Sequence, residues 1–261
     1  MAAPAKEPAA ADQGHMTLWE HLGELRRRLI IMAVAVAVGA LVAWFLWDWL
    51  LGFLTNPYCD ITDGGAECQL FVTDPLQPFA TRLKVSGYLG IALAMPVILW
   101  QVWRFVTPAL YPHEKRYAIP FVLSALVLFC LGAAIAYYTL PQALDFLRGV
   151  GGSNLTEIYT VDRYLQLITY MMLAFGIGFE FPVLLVALQL VGVLEPRQLA
   201  SWRRMAIVVI VVIAAVITPS GDPISLLALS LPMYLFYEIS ILIGWLVARR
   251  RRKATASAAD A

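Results

Sequence analysis

The sequence predicts an all-α, polytopic membrane protein of six transmembrane helices with both termini cytoplasmic. Apolar residues make up 61% of the 261-residue chain and charged residues 14%, and the mean hydropathy is +0.73, far from the balance of a soluble domain. The apolar residues fall into runs long enough to cross a bilayer, which takes about 20 residues of helix. The cations cluster in alternate connections between those runs.

The runs are 29–54, 76–105, 118–140, 164–190, 205–217 and 224–247. The first is too long for a signal-peptide core and lacks a small-residue cleavage pattern, so it is read as a retained helix. The fifth is the exception in length, about 20 Å of helix against a hydrocarbon core of about 30 Å. Such a span must thin the bilayer or be covered by neighbours, unless flanking residues complete it. Thr218-Pro-Ser-Gly-Asp-Pro223 joins it to the sixth as a helical hairpin. No inverted repeat of the secondary-transporter kind is visible.

Fifteen of the nineteen Lys and Arg residues lie in the N-terminal segment, the second-to-third connection with its edge at Arg104, the fourth-to-fifth connection and the tail. Those parts are expected on the cytoplasmic side. Asp60, Asp63, Glu67, Asp74, Asp145, Glu157 and Asp162 mark the opposite connections as external. The domain boundaries that follow are a disordered tail at 1–16, a six-helix domain at 17–248, and a basic then disordered tail at 249–261. Thr17 with Glu20 forms a capping box. Leu18, Leu22, Leu25 and Leu29 then repeat at helical spacing, which predicts an amphipathic surface helix ahead of the first span.

Cys59 and Cys68 fall in the first external connection, where they can close a disulfide or stay apart as two thiols. A metal pair lacks a third ligand, and Cys130 reads as a small apolar residue of the third span. The histidines show no metal-ligand spacing, and no HExxH, GxSxG or phosphate loop occurs. No metal, cofactor or nucleic-acid partner is expected, and no enzyme activity.

Three kinds of acid remain. Glu24 and Glu114 each sit among cations, and a carboxylate of that kind can receive a partner's guanidinium through paired charge-assisted hydrogen bonds. They can also pair locally, Glu24 with Arg28 at i+4, for a few tenths of a kcal/mol. Glu180 lies within the apolar stretch 171–190, where an acid costs about 2.5 to 3.5 kcal/mol and marks a site facing the protein interior or a wet cavity. Pro182 breaks the ladder beside it, and Gly176 and Gly178 permit close approach of another helix. Glu238, in the sixth span, lies nearer the cytoplasmic end.

His21-Leu-x-Glu-Leu-Arg26, Pro96-Val-Ile-Leu-x-Gln-Val-Trp103, Phe105-Val-x-Pro-Ala-Leu-Tyr-x-His-Glu-x-Arg116, Phe179-Glu-x-Pro182, Thr218-Pro219 and Pro232-Met-x-x-x-x-x-Glu238 occur in that order. Together they closely resemble TatC, the multispan core of the twin-arginine protein translocase, over nearly the whole chain. The resemblance implies a glove-shaped, concave bundle in the cytoplasmic membrane that receives folded precursors bearing twin-arginine signal peptides. It implies a signal-peptide site of Glu24, Glu114 and Phe105, within motifs that include His21, Leu22 and Arg26. It further implies partner docking at the last hairpin, with small single-span TatA-like and TatB-like subunits, self-association, and transport driven by the proton-motive force. The hairpin departs from the usual family pattern Thr-Pro-Pro-Asp followed by a Gln. Asp222 keeps its equivalence across a one-residue insertion, and Thr218 and Ser225 become the candidates for the polar partner contact beside Pro219. The alternative from another class is a solute or ion transporter using Glu180 and Glu238 as a proton relay.

Overall fold

The computed structural model describes residues 18–61, 70–106, 118–151 and 158–259, all but a few of them helical. Among the described residues eight helices follow in order: α1 Leu18–Phe45, α2 Trp47–Ile61, α3 Gln77–Val106, α4 Ala118–Gly151, α5 Val161–Val191, α6 Pro196–Ser201, α7 Arg203–Ile217 and α8 Pro223–Ala259. The tail 1–16, the Thr17 cap, Cys68 and Glu114 lie outside the described residues. Among the described residues five helices, within α1, α3, α4, α5 and α8, are long and apolar enough to cross a membrane. The sixth expected span is α7, whose 15 residues reach about 22 Å.

Two boundaries differ from the sequence reading. The amphipathic segment is not a separate surface helix, because α1 runs unbroken from Leu18 into the span. The first apolar run is instead divided at Leu46, and α2 leaves α1 to pack on α4 and α5. Arg82 of α3 explains the break. Its Nη2 donates to the Trp44 carbonyl at 2.6 Å while its guanidinium lies 4.4 Å from the Trp44 ring and 5.6 Å from the Trp47 ring. A carbonyl that would have continued the helix is thus capped by a cation held on aromatic faces. Within α2, Pro57 has no N–H to give the Phe53 carbonyl, and Tyr137 of α4 supplies the missing donor at 2.9 Å. Tyr164 of α5 donates likewise to Leu54 at 2.9 Å.

Glycines set the tightest helix contacts. A Cβ at Gly39 would lie 2.6 Å from the Gly90 carbonyl oxygen, and one at Gly132 would lie 2.6 Å from that of Phe175. Gly176, as expected, admits a neighbour, the Phe129 ring of α4. These contacts dock α1 on α3 and α4 on α5 at backbone distance. The most buried span is α5, and Phe175, Phe179 and Met171 sit in the core with Leu229, Met233 and Ile241 of α8. At the acidic end, Phe71 and Thr160 form a short parallel bridge, and Gln77 of α3 donates to Asp162 of α5. Cys59 in this region is disulfide-bonded, whereas Cys130 is a free thiol on the exposed face of α4.

Helices α5 and α8 run parallel. Gly178 faces Leu229 and Met233, and Gln189 Nε2 donates to the Ser240 carbonyl at 3.1 Å. Those pairings place the start of α8 about ten residues, or about 15 Å, short of the start of α5. The hairpin tip is therefore recessed from the acidic end. Gln189 can bridge the two helices only because position 244 has no side chain: a Cβ there would lie 1.7 Å from Gln189 Oε1. We expect Gly244→Ala to displace the amide and cost about 1 to 3 kcal/mol. A melt in detergent indistinguishable from the parent's would remove this bridge from the account.

Helix α8 continues to Ala259, beyond the boundary at 248. The Arg and Ala residues there are strong helix formers, so the basic tail extends the last helix.

Candidate functional site

The basic end gathers the start of α1, the end of α3, the α5–α6 connection and the start of α7. Glu24 lies two turns into α1 and is half-buried. Arg28, one turn later, is only 8% exposed, and its Nε and Nη2 both donate to Glu24 Oε1. The same guanidinium crosses to α3, where Nη1 donates to the Gln101 carbonyl at 3.2 Å and Nη2 to the Arg104 carbonyl at 3.0 Å. Arg104 lies in the last turn of α3, where carbonyls lack helical donors and the helix dipole favours a cation. A small cavity of about 110 Å³ opens on this cluster, lined by Glu24, Arg27, Arg28, Ile31, Gln101 and Arg104.

Of the other residues expected here, Leu22 and Arg26 are exposed on α1, Phe105 is half-buried beside Arg104, and His21 lies on the first turns of α1. Gln101 and the cross-helix role of Arg28 were not anticipated as site residues. Their signal was available only in part, as a Gln near the end of an apolar run.

Glu180 faces a second, larger cavity of about 420 Å³ at mid-depth, walled by α3, α4, α5, α7 and α8. Trp103, Phe121, Phe181, Ile213 and Met233 make its lining apolar. The Oε1 atom of Glu180 is buried and has no hydrogen-bond partner among the described residues. Pro182 leaves the Gly178 carbonyl without its helical donor on the same stretch, so two acceptors share one apolar wall.

Glu238 is not a second lone intramembrane acid. Arg203, at the start of α7, pairs with it at 2.9 Å and Tyr234 donates to it at 3.0 Å, tying the base of the hairpin together. Its partner lies 35 residues away, out of reach of any local pattern.

At the recessed tip, Thr218, Asp222 and Ser225 are all buried, and Pro219 is exposed. Asp222 caps α8 by accepting the Ser225 N–H at 2.7 Å and also accepts the Ser220 hydroxyl. Gly221, with φ +61°, supplies the left-handed residue the turn needs. These side chains shape the tip from within.

Five long apolar helices, a carboxylate and arginine cluster at the basic end and a buried acid at mid-depth define a multi-pass membrane protein with polar chemistry at two levels. Among the described residues no group of His, Cys, Asp and Glu could hold a metal. The family model of the Sec-independent protein translocase protein TatC matches residues 20–232. A Frankia casuarinae protein of that description is 42% identical over 95% of this chain and 71% of its own length. One from Aquifex aeolicus is 42% identical over 91% of this chain and 98% of its own. A crystal structure of the twin arginine translocase receptor TatC, in the detergent DDM, superposes with a TM-score of 0.74 at 41% identity, covering 86% of this chain and 99% of that one. The chain belongs to the TatC family. It is a core subunit of the twin-arginine translocase, a multi-pass protein of the cell membrane that works with other components of that system and is not an enzyme.

Proposed function

We propose that the basic end is cytoplasmic and binds the paired arginines of signal peptides on folded precursors, with Glu24 and Glu114 as the receiving carboxylates. Leu22 and Phe105 offer apolar contact, and His21 and Arg26 flank the site. The observation that carries this reading is Glu24 itself, a half-buried carboxylate at the mouth of a small cavity, already in use as a guanidinium acceptor. Export then proceeds with TatA-like and TatB-like single-span subunits, driven by the proton-motive force. The surface offered to them is the outward face of α7, where Val208, Val212 and Val216 are exposed at helical spacing. The buried Thr218, Asp222 and Ser225 hold that face at its depth, and copies of the chain associate with one another in the assembled complex.

The protein in detergent should retain a tagged twin-arginine peptide and lose it when the pair is changed to Lys-Lys, which cannot reproduce the forked pairing. Binding indifferent to that change would end the proposal. Glu114→Gln should weaken retention about tenfold while leaving the melting temperature within a few degrees. Equal retention by the variant and its parent would remove Glu114 from the site. A solute transporter relaying protons between Glu180 and Glu238 has less support, since Arg203 holds Glu238 and the cavity at Glu180 is walled by other residues.

A further inference from the structure

The carboxylate assigned to peptide recognition already holds a guanidinium that belongs to the protein. Arg28 is among the most buried charged residues described, and a buried guanidinium persists only where its donors are matched. Its matches are of two kinds. The α3 carbonyls of Gln101 and Arg104 hold it from one side, near a helix C-terminus that favours positive charge. Glu24 holds it from the other through Nε and Nη2. An i,i+4 pair of this sort is individually weak. The carbonyl contacts do not depend on it, so Arg28 can stay in place on α3 while its hold on Glu24 is given up.

We propose that Arg28 is a built-in competitor for Glu24, which an arriving peptide arginine must displace, and which keeps the peptide's affinity low enough for release. The inference rests on the reading of Glu24 as a peptide-binding carboxylate. Exchange of one guanidinium for another conserves the charge-assisted hydrogen bonds to the carboxylate, so the gain on binding is the difference between two like contacts. Arg27 and Arg104 line the same cavity and raise the positive field that an incoming cation meets. A purely structural bolt between α1 and α3 would behave in the opposite way, since loosening it can only loosen the site.

The test is peptide affinity and dissociation rate in detergent for the parent, Arg28→Lys, Glu24→Gln and the double variant. Lys keeps a cation near the α3 carbonyls but gives up the forked hold on Glu24. Arg28→Lys should tighten binding of the twin-arginine peptide about threefold, chiefly by slower dissociation. In the Glu24→Gln background the same change should have no effect. Unchanged or weaker binding by Arg28→Lys, with Glu24→Gln still defective, overturns the competitor and leaves Arg28 a bolt. Parent-like binding by Glu24→Gln overturns the peptide site itself, whatever Arg28 does. Arg28→Met, which also removes the donors to α3, should melt lower yet still bind tighter where it folds, and tighter binding by neither variant overturns the proposal.

Discussion

Gly90→Val is expected to destabilise the protein by about 3 kcal/mol, the upper part of the range for overpacking, and to abolish peptide retention with it. A Cβ at this position would stand 2.6 Å from the Ala40 nitrogen and 2.8 Å from the Ala40 Cα and Cβ. Two of those atoms are backbone, so no rotamer change relieves the clash, and α1 has to move off α3. The basic cluster follows, because Glu24 and Arg28 reach Gln101 and Arg104 only while the two helices stay in register. Gly87, one turn earlier on α3, is the control. A Cβ there meets nothing within 4 Å, and Gly87→Ala should leave melting and retention close to the parent values. Thermal scans in detergent with a peptide pull-down read both effects. Parent-like melting of Gly90→Val would show that the helices do not meet at backbone distance.

Glu180→Leu should move stability and export in opposite directions. The acid lines an apolar cavity with Oε1 unpartnered among the described residues, so a leucine of similar volume should stabilise the fold by about 1 to 3 kcal/mol. Peptide capture, which happens at the basic end, should persist. Export should fall tenfold or more, and Glu180→Ala should lose it in the same way while keeping capture. Unchanged export in both variants would reduce Glu180 to a tolerated oddity of the helix.

Apolar run length and cation placement are properties of short stretches of chain, and what they predicted is what a local pattern can carry. The spans in α3, α4, α5 and α8 appeared from those patterns alone, as did the shortness of α7. The division of α1 from α2 did not, because no Gly or Pro marks Leu46. Its cause is Arg82, thirty-eight residues from Trp44. Glu238 looked like an intramembrane acid for the same reason, its partner Arg203 being remote in sequence. The i,i+4 pairing of Glu24 with Arg28 was legible, and the structure adds that the same arginine reaches α3. The burial of Asp222 could not be read either, since a Pro-Ser-Gly-Asp turn looks like surface until α5 shows how far the tip is recessed.

Arg28 also has a consequence for how the chain is made. Every atom it binds belongs to α1 or α3, and α1 docks chiefly on α3. Nothing in that pairing waits for the later helices α4 to α8. Synthesis runs from the N-terminus and supplies these two helices first. Once Val106 has left the ribosome, both helices and the acceptors that Arg28 meets exist. The arginine then shields a partly buried carboxylate during insertion, before α4, α5, α7 and α8 arrive to enclose the second acid at Glu180.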